Sequence, residues 1–231
     1  MLMDMRARLP TVLTAIAAAG AVSCGPASAP RSDGRLIQPG APGEQSRTVT
    51  PEQAAANRPR HTDADVRFMQ DMITHHAQAV EMTTLLKTRS NSEDMQKLAQ
   101  RIELSQDDEM RMMKAWLTAR GAALSDPHAH HTHAPLRQGS GGQAGLMRGM
   151  ASPEEMQRLA SLKGTEFDRL FLELMIKHHE GALTMVEELF ATPGAGQESE
   201  IFAFASDVNA DQRMEIRRMG QMLARSEGAG R

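Results

Sequence analysis

Along residues 68–117, and again along 171–223, apolar side chains recur at intervals of three and four. That spacing gathers them on one face of an α-helix. The stretch FMQDMITHHAQAVEM, from Phe68 to Met82, returns 103 residues later as FLELMIKHHEGALTM, from Phe171 to Met185. On a helix Met72, His75, His76, Ala79 and Met82 form one continuous stripe, and Met175, His178, His179, Ala182 and Met185 repeat it. After breaks at 88–92 and 192–196, a second matched pair follows. Ile102, Gln106, Glu109, Met113 and Trp116 align with Val208, Gln212, Glu215, Met219 and Met222. Steps of four, three, four and three are those of a packed helical seam.

Helix starts are marked as well. Thr50-Pro51-Glu52-Gln53 and Ser152-Pro153-Glu154-Glu155 each order a hydroxyl, a proline, an acid and a Glu or Gln, the arrangement of a capping box with proline at the first helical position. Thr62 with Asp65, and Thr165 with Asp168, predict a second box in each copy, which assigns both aspartates to helix starts rather than to a metal. Each repeat therefore predicts a short helix followed by an antiparallel helical hairpin. Two such hairpins about a pseudo-twofold axis make an all-α four-helix bundle, spanning residues 50–225. Repeat one covers 50–120, a linker 121–149 and repeat two 150–225.

The stripes that should face inward are not wholly apolar. Each carries two adjacent histidines, and each seam carries a glutamine and a glutamate, Gln106 and Glu109 or Gln212 and Glu215. A charge on a buried seam needs a partner, and the only repeated candidates are the histidines. Two readings stay open. Neutral imidazoles satisfied by buried carboxylates or amides would be a structural network, because an unpartnered buried polar group costs about 1–3 kcal/mol. Recurrence at one helical position, with methionine on both flanks, points instead to a soft-metal site.

Composition changes the picture in three places. The chain of 231 residues holds 18 Met, one Trp and no Tyr; methionine fills irregular helical cores and also ligates Cu(I). The formal charge of −3, with no basic block, disfavours nucleic acid as a partner. The one cysteine, Cys24, follows Arg6, Arg8 and an apolar run from Leu9 to Val22. Residues 1–23 have the charged start, apolar middle and small-residue end of a secretory signal, and the run is short for a membrane span. Small residues before a lone cysteine resemble a bacterial lipobox, with Ala21 where leucine is usual, so Cys24 is the expected lipidation site; with ordinary cleavage instead, the chain would be secreted. Residues 24–49, rich in Pro, Gly, Ser and Ala, are expected to be a disordered tether.

The linker adds chemistry of its own. His128, His130, His131 and His133 lie within six residues, a composition that marks a metal-binding tract or a solvated linker.

The matched pieces FM..MI.HH..A..M and FDRLFLELMIKHHEGALTMVEEL, the seams behind them, and GMASPEEMQRLASLKGTEFDRLF at residues 149–171 resemble the bacterial domain-of-unknown-function family 305 over roughly residues 50–225. The resemblance implies a ferritin-like four-helix bundle, export, frequent lipid anchoring and, for some members, copper binding and tolerance. Its motif positions fall on His75, His76, Met72 and Met82, and on His178, His179, Met175 and Met185.

Three functions follow. The first is an exported, lipid-anchored metal-binding protein of the cell envelope or periplasm that sequesters or passes an ion. Copper is preferred, with zinc or iron left open. Its candidate ligands are those eight residues with Glu109, Glu215 and the four linker histidines. The second is a structural or interaction module whose His-Glu-Gln network holds no metal. The third is a ferritin-like di-metal oxidase; such bundles use Glu-x-x-His, whereas Met72 and Met175 stand three residues before His75 and His178. A homo-oligomer is also open, since Met-rich faces pack readily on a second chain.

Overall fold

The computed structural model describes residues 34–39, 43, 45–56, 58–124 and 146–228. The chain divides into two compact units, residues 1–57 and 58–231. The signal segment and Cys24 lie outside the described residues, as do His128, His130, His131 and His133.

The first unit departs from the expected tether. Strands β1 (Leu36–Gln38) and β2 (Arg47–Val49) pair antiparallel, with Leu36 opposite Val49 and Gln38 opposite Arg47. Three-residue strands carry too little periodicity to stand out from a Pro- and Gly-rich background, so they leave no pattern in the sequence. Helix α1 (Pro51–Ala56) follows, opened by the expected reciprocal bonds between Thr50 and Gln53. No residue of α1 is buried. Its repeat counterpart α4 (Pro153–Ser161) instead buries Leu159 in the bundle core, so the copies diverge at their first helix.

The second unit is the helical bundle. Helices α2 (Asp63–Arg89) and α3 (Glu93–Ala119) form one hairpin, and α5 (Gly164–Ala191) and α6 (Ser199–Gly228) the other. The hairpins meet chiefly through α2 and α5. Two apolar clusters fill the interior. One gathers the end of α2 and start of α3 with the start of α5 and end of α6, among them Met82, Leu98, Phe171, Met175 and Met219. The other gathers the opposite ends, including Phe68, Met72, Met113, Val186 and Phe204. The hairpin loops therefore lie at opposite ends of the bundle.

Two aspartates hold that arrangement. Asp65 Oδ2 accepts from the Thr62 N–H at 2.6 Å, the predicted capping box, while Oδ1 accepts from the Gly196 N–H, in the loop of the other hairpin, at 2.7 Å. The matching box at Thr165 and Asp168 does not form. Helix α5 begins two residues earlier than that box requires, at Gly164, and Lys163 at its cap makes no side-chain cap bond. The Asp168 carboxylate turns instead toward the side chain of Ser90, in the loop between α2 and α3, and its Oδ1 is left without a hydrogen-bond partner. Each aspartate thus reaches the loop of the opposite hairpin; only Asp65 also caps its own helix.

Candidate metal centre

Between the two apolar clusters lies a polar layer. Helix α2 contributes His75 and His76, α5 contributes His178 and His179, α3 contributes Gln106 and Glu109, and α6 contributes Gln212 and Glu215. All four histidines are fully buried, and the glutamines and glutamates are buried as well. The helical stripe that packs the methionines inward carries the histidines with it, and the antiparallel seams bring a glutamate opposite each second histidine.

Every imidazole is held through the same nitrogen. His76 Nε2 donates to Glu109 Oε2 at 2.5 Å, and His179 Nε2 to Glu215 Oε2 at 2.7 Å. His75 Nε2 donates to the backbone carbonyl of Arg148, and His178 Nε2 to that of His75, both at 2.9 Å. A carbonyl oxygen has only lone pairs, so Nε2 carries the hydrogen in these two rings and Nδ1 carries the lone pair. The four Nδ1 atoms are buried without a hydrogen-bond partner, as are Gln106 Oε1 and both polar atoms of the Gln212 amide.

The environment keeps the central pair neutral. Burial, with the neighbouring His76 imidazole, pushes His75 down to about 3, and burial with His75 and His179 takes His178 well below the usual range. A neutral imidazole is the form that ligates a metal. The two rings lie 3.8 Å apart at 34°, whereas His76 and His179 lie 6.5 and 6.2 Å from their own neighbours.

The structure brings the four histidines and two glutamates into one layer, and it distributes the methionines above and below. Met72 and Met185 belong to one apolar cluster, Met82 and Met175 to the other, because α2 and α5 run in opposite directions. Glu109 and Glu215 are each engaged by a histidine; Glu109 also accepts from Ser105 at 3.1 Å, and Glu215 lies 3.6 Å from Arg101. Among the described residues, no three His, Cys, Asp or Glu side chains are grouped so as to hold an ion. The Arg148 carbonyl is the participant that sequence reasoning missed, since a backbone acceptor has no residue type of its own. Among the described residues, no helix is long and apolar enough to cross a membrane.

A family model described as "Domain of unknown function (DUF305)" matches residues 65–223, a span that contains the whole polar layer. The chain belongs to the DUF305 family. A DUF305 fragment from Deinococcus radiodurans is 33% identical over 72% of this chain and 99% of its own, with a TM-score of 0.59. A DUF305 protein from Streptomyces coelicolor is 29% identical over 71% of this chain and 92% of its own, also at 0.59. CopM in its Cu(II)-bound form is 26% identical over 70% of this chain and 96% of its own, at 0.53. Among curated proteins, none is similar enough to match this DUF305 chain.

Proposed function

We propose that this DUF305 chain is an exported copper-binding protein, anchored through a lipid on Cys24, that sequesters the ion in its buried histidine layer. One observation carries the reading: four buried Nδ1 atoms have no partner, while every matching Nε2–H is given to a carboxylate or a backbone carbonyl. A ligating histidine donates its other ring N–H to just such an acceptor, which orients the ring and sets its tautomer. A layer built only for structure would be expected to satisfy both nitrogens, since each orphan costs about 1–3 kcal/mol. Glu109 and Glu215 then act as orienting partners of His76 and His179 and not as ligands. Imidazole nitrogen accepts copper in either oxidation state, and the thioethers of Met72, Met82, Met175 and Met185 suit Cu(I). The likeness to CopM, whose structure is described as Cu(II)-bound, agrees with that choice. The four linker histidines, His128, His130, His131 and His133, supply a second, weaker contact for the ion.

The spacing of the imidazoles favours a second reading, a metal-free network that fixes helix register, because among the described residues no three such groups converge. One experiment separates the two. Copper content is measured on the chain purified without a tag, beside His76→Ala/His179→Ala and a deletion of 126–134. Near-stoichiometric copper in the wild type and the deletion, lost in the double variant with helicity retained, supports the centre. Copper in none of them, after exposure to Cu(I) and Cu(II), overturns it in favour of the network.

A further inference from the structure

Two residues beyond each His-His pair the copies diverge: Gln78 in α2 stands where Gly181 stands in α5. One segment uses both. Met147 to Met150 form a turn closed by the Met150 N–H on the Met147 carbonyl at 3.2 Å, with Gly149 at a φ of +73° that favours glycine. On the α5 side the two glycine backbones touch. A Cβ on Gly181 would overlap the Arg148 carbonyl, and one on Gly149 would lie 2.7 Å from the Gly181 Cα. On the α2 side the Gln78 amide brackets Ala151: its Oε1 accepts from the Ala151 N–H at 2.7 Å, and its Nε2 donates to the Ala151 carbonyl at 2.9 Å. The Arg148 guanidinium is tied to Glu188 on α5 at 2.8 and 3.1 Å. Between these seats, the Arg148 carbonyl arrives 2.9 Å from His75 Nε2. The pseudo-twofold counterpart of the bond from His178 to the His75 carbonyl would run from His75 to the His178 carbonyl; Arg148 takes that place.

We propose that Met147–Ala151 is a strap that positions His75 as an Nδ1 ligand, with Gln78 and Gly181 as its seats. The inference rests on the reading that the histidine layer holds a metal. A neutral imidazole has one ring hydrogen, and an acceptor fixed at Nε2 keeps it there, leaving the Nδ1 lone pair free. With the acceptor displaced, part of the population places the hydrogen on Nδ1 and cannot ligate through that atom. Loss of such an orienting partner lowers metal affinity about 10–100-fold.

The test needs no metal at first. Proton–nitrogen correlation spectra of the full chain, labelled with 15N at histidine, show which ring nitrogen carries the hydrogen. Wild type should show Nε2–H at His75 and His178. Gly181→Ala, which pushes the strap outward, and Gln78→Leu, which drops the clamp without a clash, should both move His75 toward Nδ1–H. His178 should stay as it is, because its acceptor is the His75 carbonyl. An Nδ1–H form of His75 in the wild type overturns the proposal, as does an unchanged His75 in a folded Gln78→Leu chain. Titration with Ag(I) should then show at least a tenfold weaker site in Gln78→Leu. A tautomer shift in Gln78→Leu, beside a wild-type chain that takes up neither copper nor silver, would overturn the metal reading while leaving the strap's effect on His75 standing.

Discussion

His178 donates its Nε2–H to the backbone carbonyl of His75, and the two rings lie 3.8 Å apart in the fully buried centre of the bundle. Burial this deep disfavours charge on either imidazole, and the neighbouring histidines disfavour it further, so both rings stay neutral and the behaviour of the layer follows from that.

Stability should fall as acid is added, and the sign can be worked out from His75. Its folded value is pushed down to about 3 from an ordinary value near 6.5, so the unfolded chain binds the extra proton throughout that interval. Stability is therefore full above about pH 6.5 and is lost progressively toward pH 3. Thermal melts between pH 7 and 4 should show a steep decline, flattened in His75→Gln. A wild-type melting temperature that does not change across this range would contradict the neutral buried pair.

Asp65→Ala should cost more than Asp168→Ala. The first breaks the Asp65 half of the capping box with Thr62 and also orphans the buried Gly196 N–H, worth about 1–3 kcal/mol. The second loses only the contact with Ser90 from a half-buried carboxylate. Urea denaturation of the two variants should show the gap directly; equal losses would mean that the Gly196 bond contributes little.

Met72→Leu separates packing from ligation. The swap nearly conserves volume and should change stability by less than about 1.5 kcal/mol. If the Met72 thioether reaches the ion, affinity for Ag(I) should nevertheless fall, as read by competition with a chelator. Unchanged affinity would assign Met72 to the core alone.

Copper should stabilise the folded chain. At a hundredfold excess over its dissociation constant, a ligand that binds only the native state adds about 2.7 kcal/mol. Calorimetry with and without Cu(I) should show the melting transition move upward in wild type and stay in place in His76→Ala/His179→Ala.

Most of the bundle was legible in the sequence because a helix advertises itself locally. The three- and four-residue periods marked α2, α3, α5 and α6, and the repeat paired them, at an offset of 103 residues for α2 with α5 and 106 for α3 with α6. The short β1–β2 hairpin was not legible, since three-residue strands carry no usable period. The box at Thr165 and Asp168 failed for a different reason. Local sequence offers a cap, but the Ser90 loop of the other hairpin competes for the same carboxylate, and only the packed structure decides between them.

The sequence alone determined which residues enter the layer. His75, His76, His178, His179, Glu109, Glu215 and both glutamines sit on stripes that must face inward, whatever the details of packing. Tertiary structure decided how they are used: which glutamate meets which histidine, which nitrogen of each ring stays free, and how the methionines divide between the two flanking clusters. Those choices depend on the antiparallel docking of α2 against α5 and on a backbone carbonyl, that of Arg148, delivered by a strap through the space left by two glycines. A carbonyl is common to every residue, so its role comes from where the fold places it, which no residue letter records.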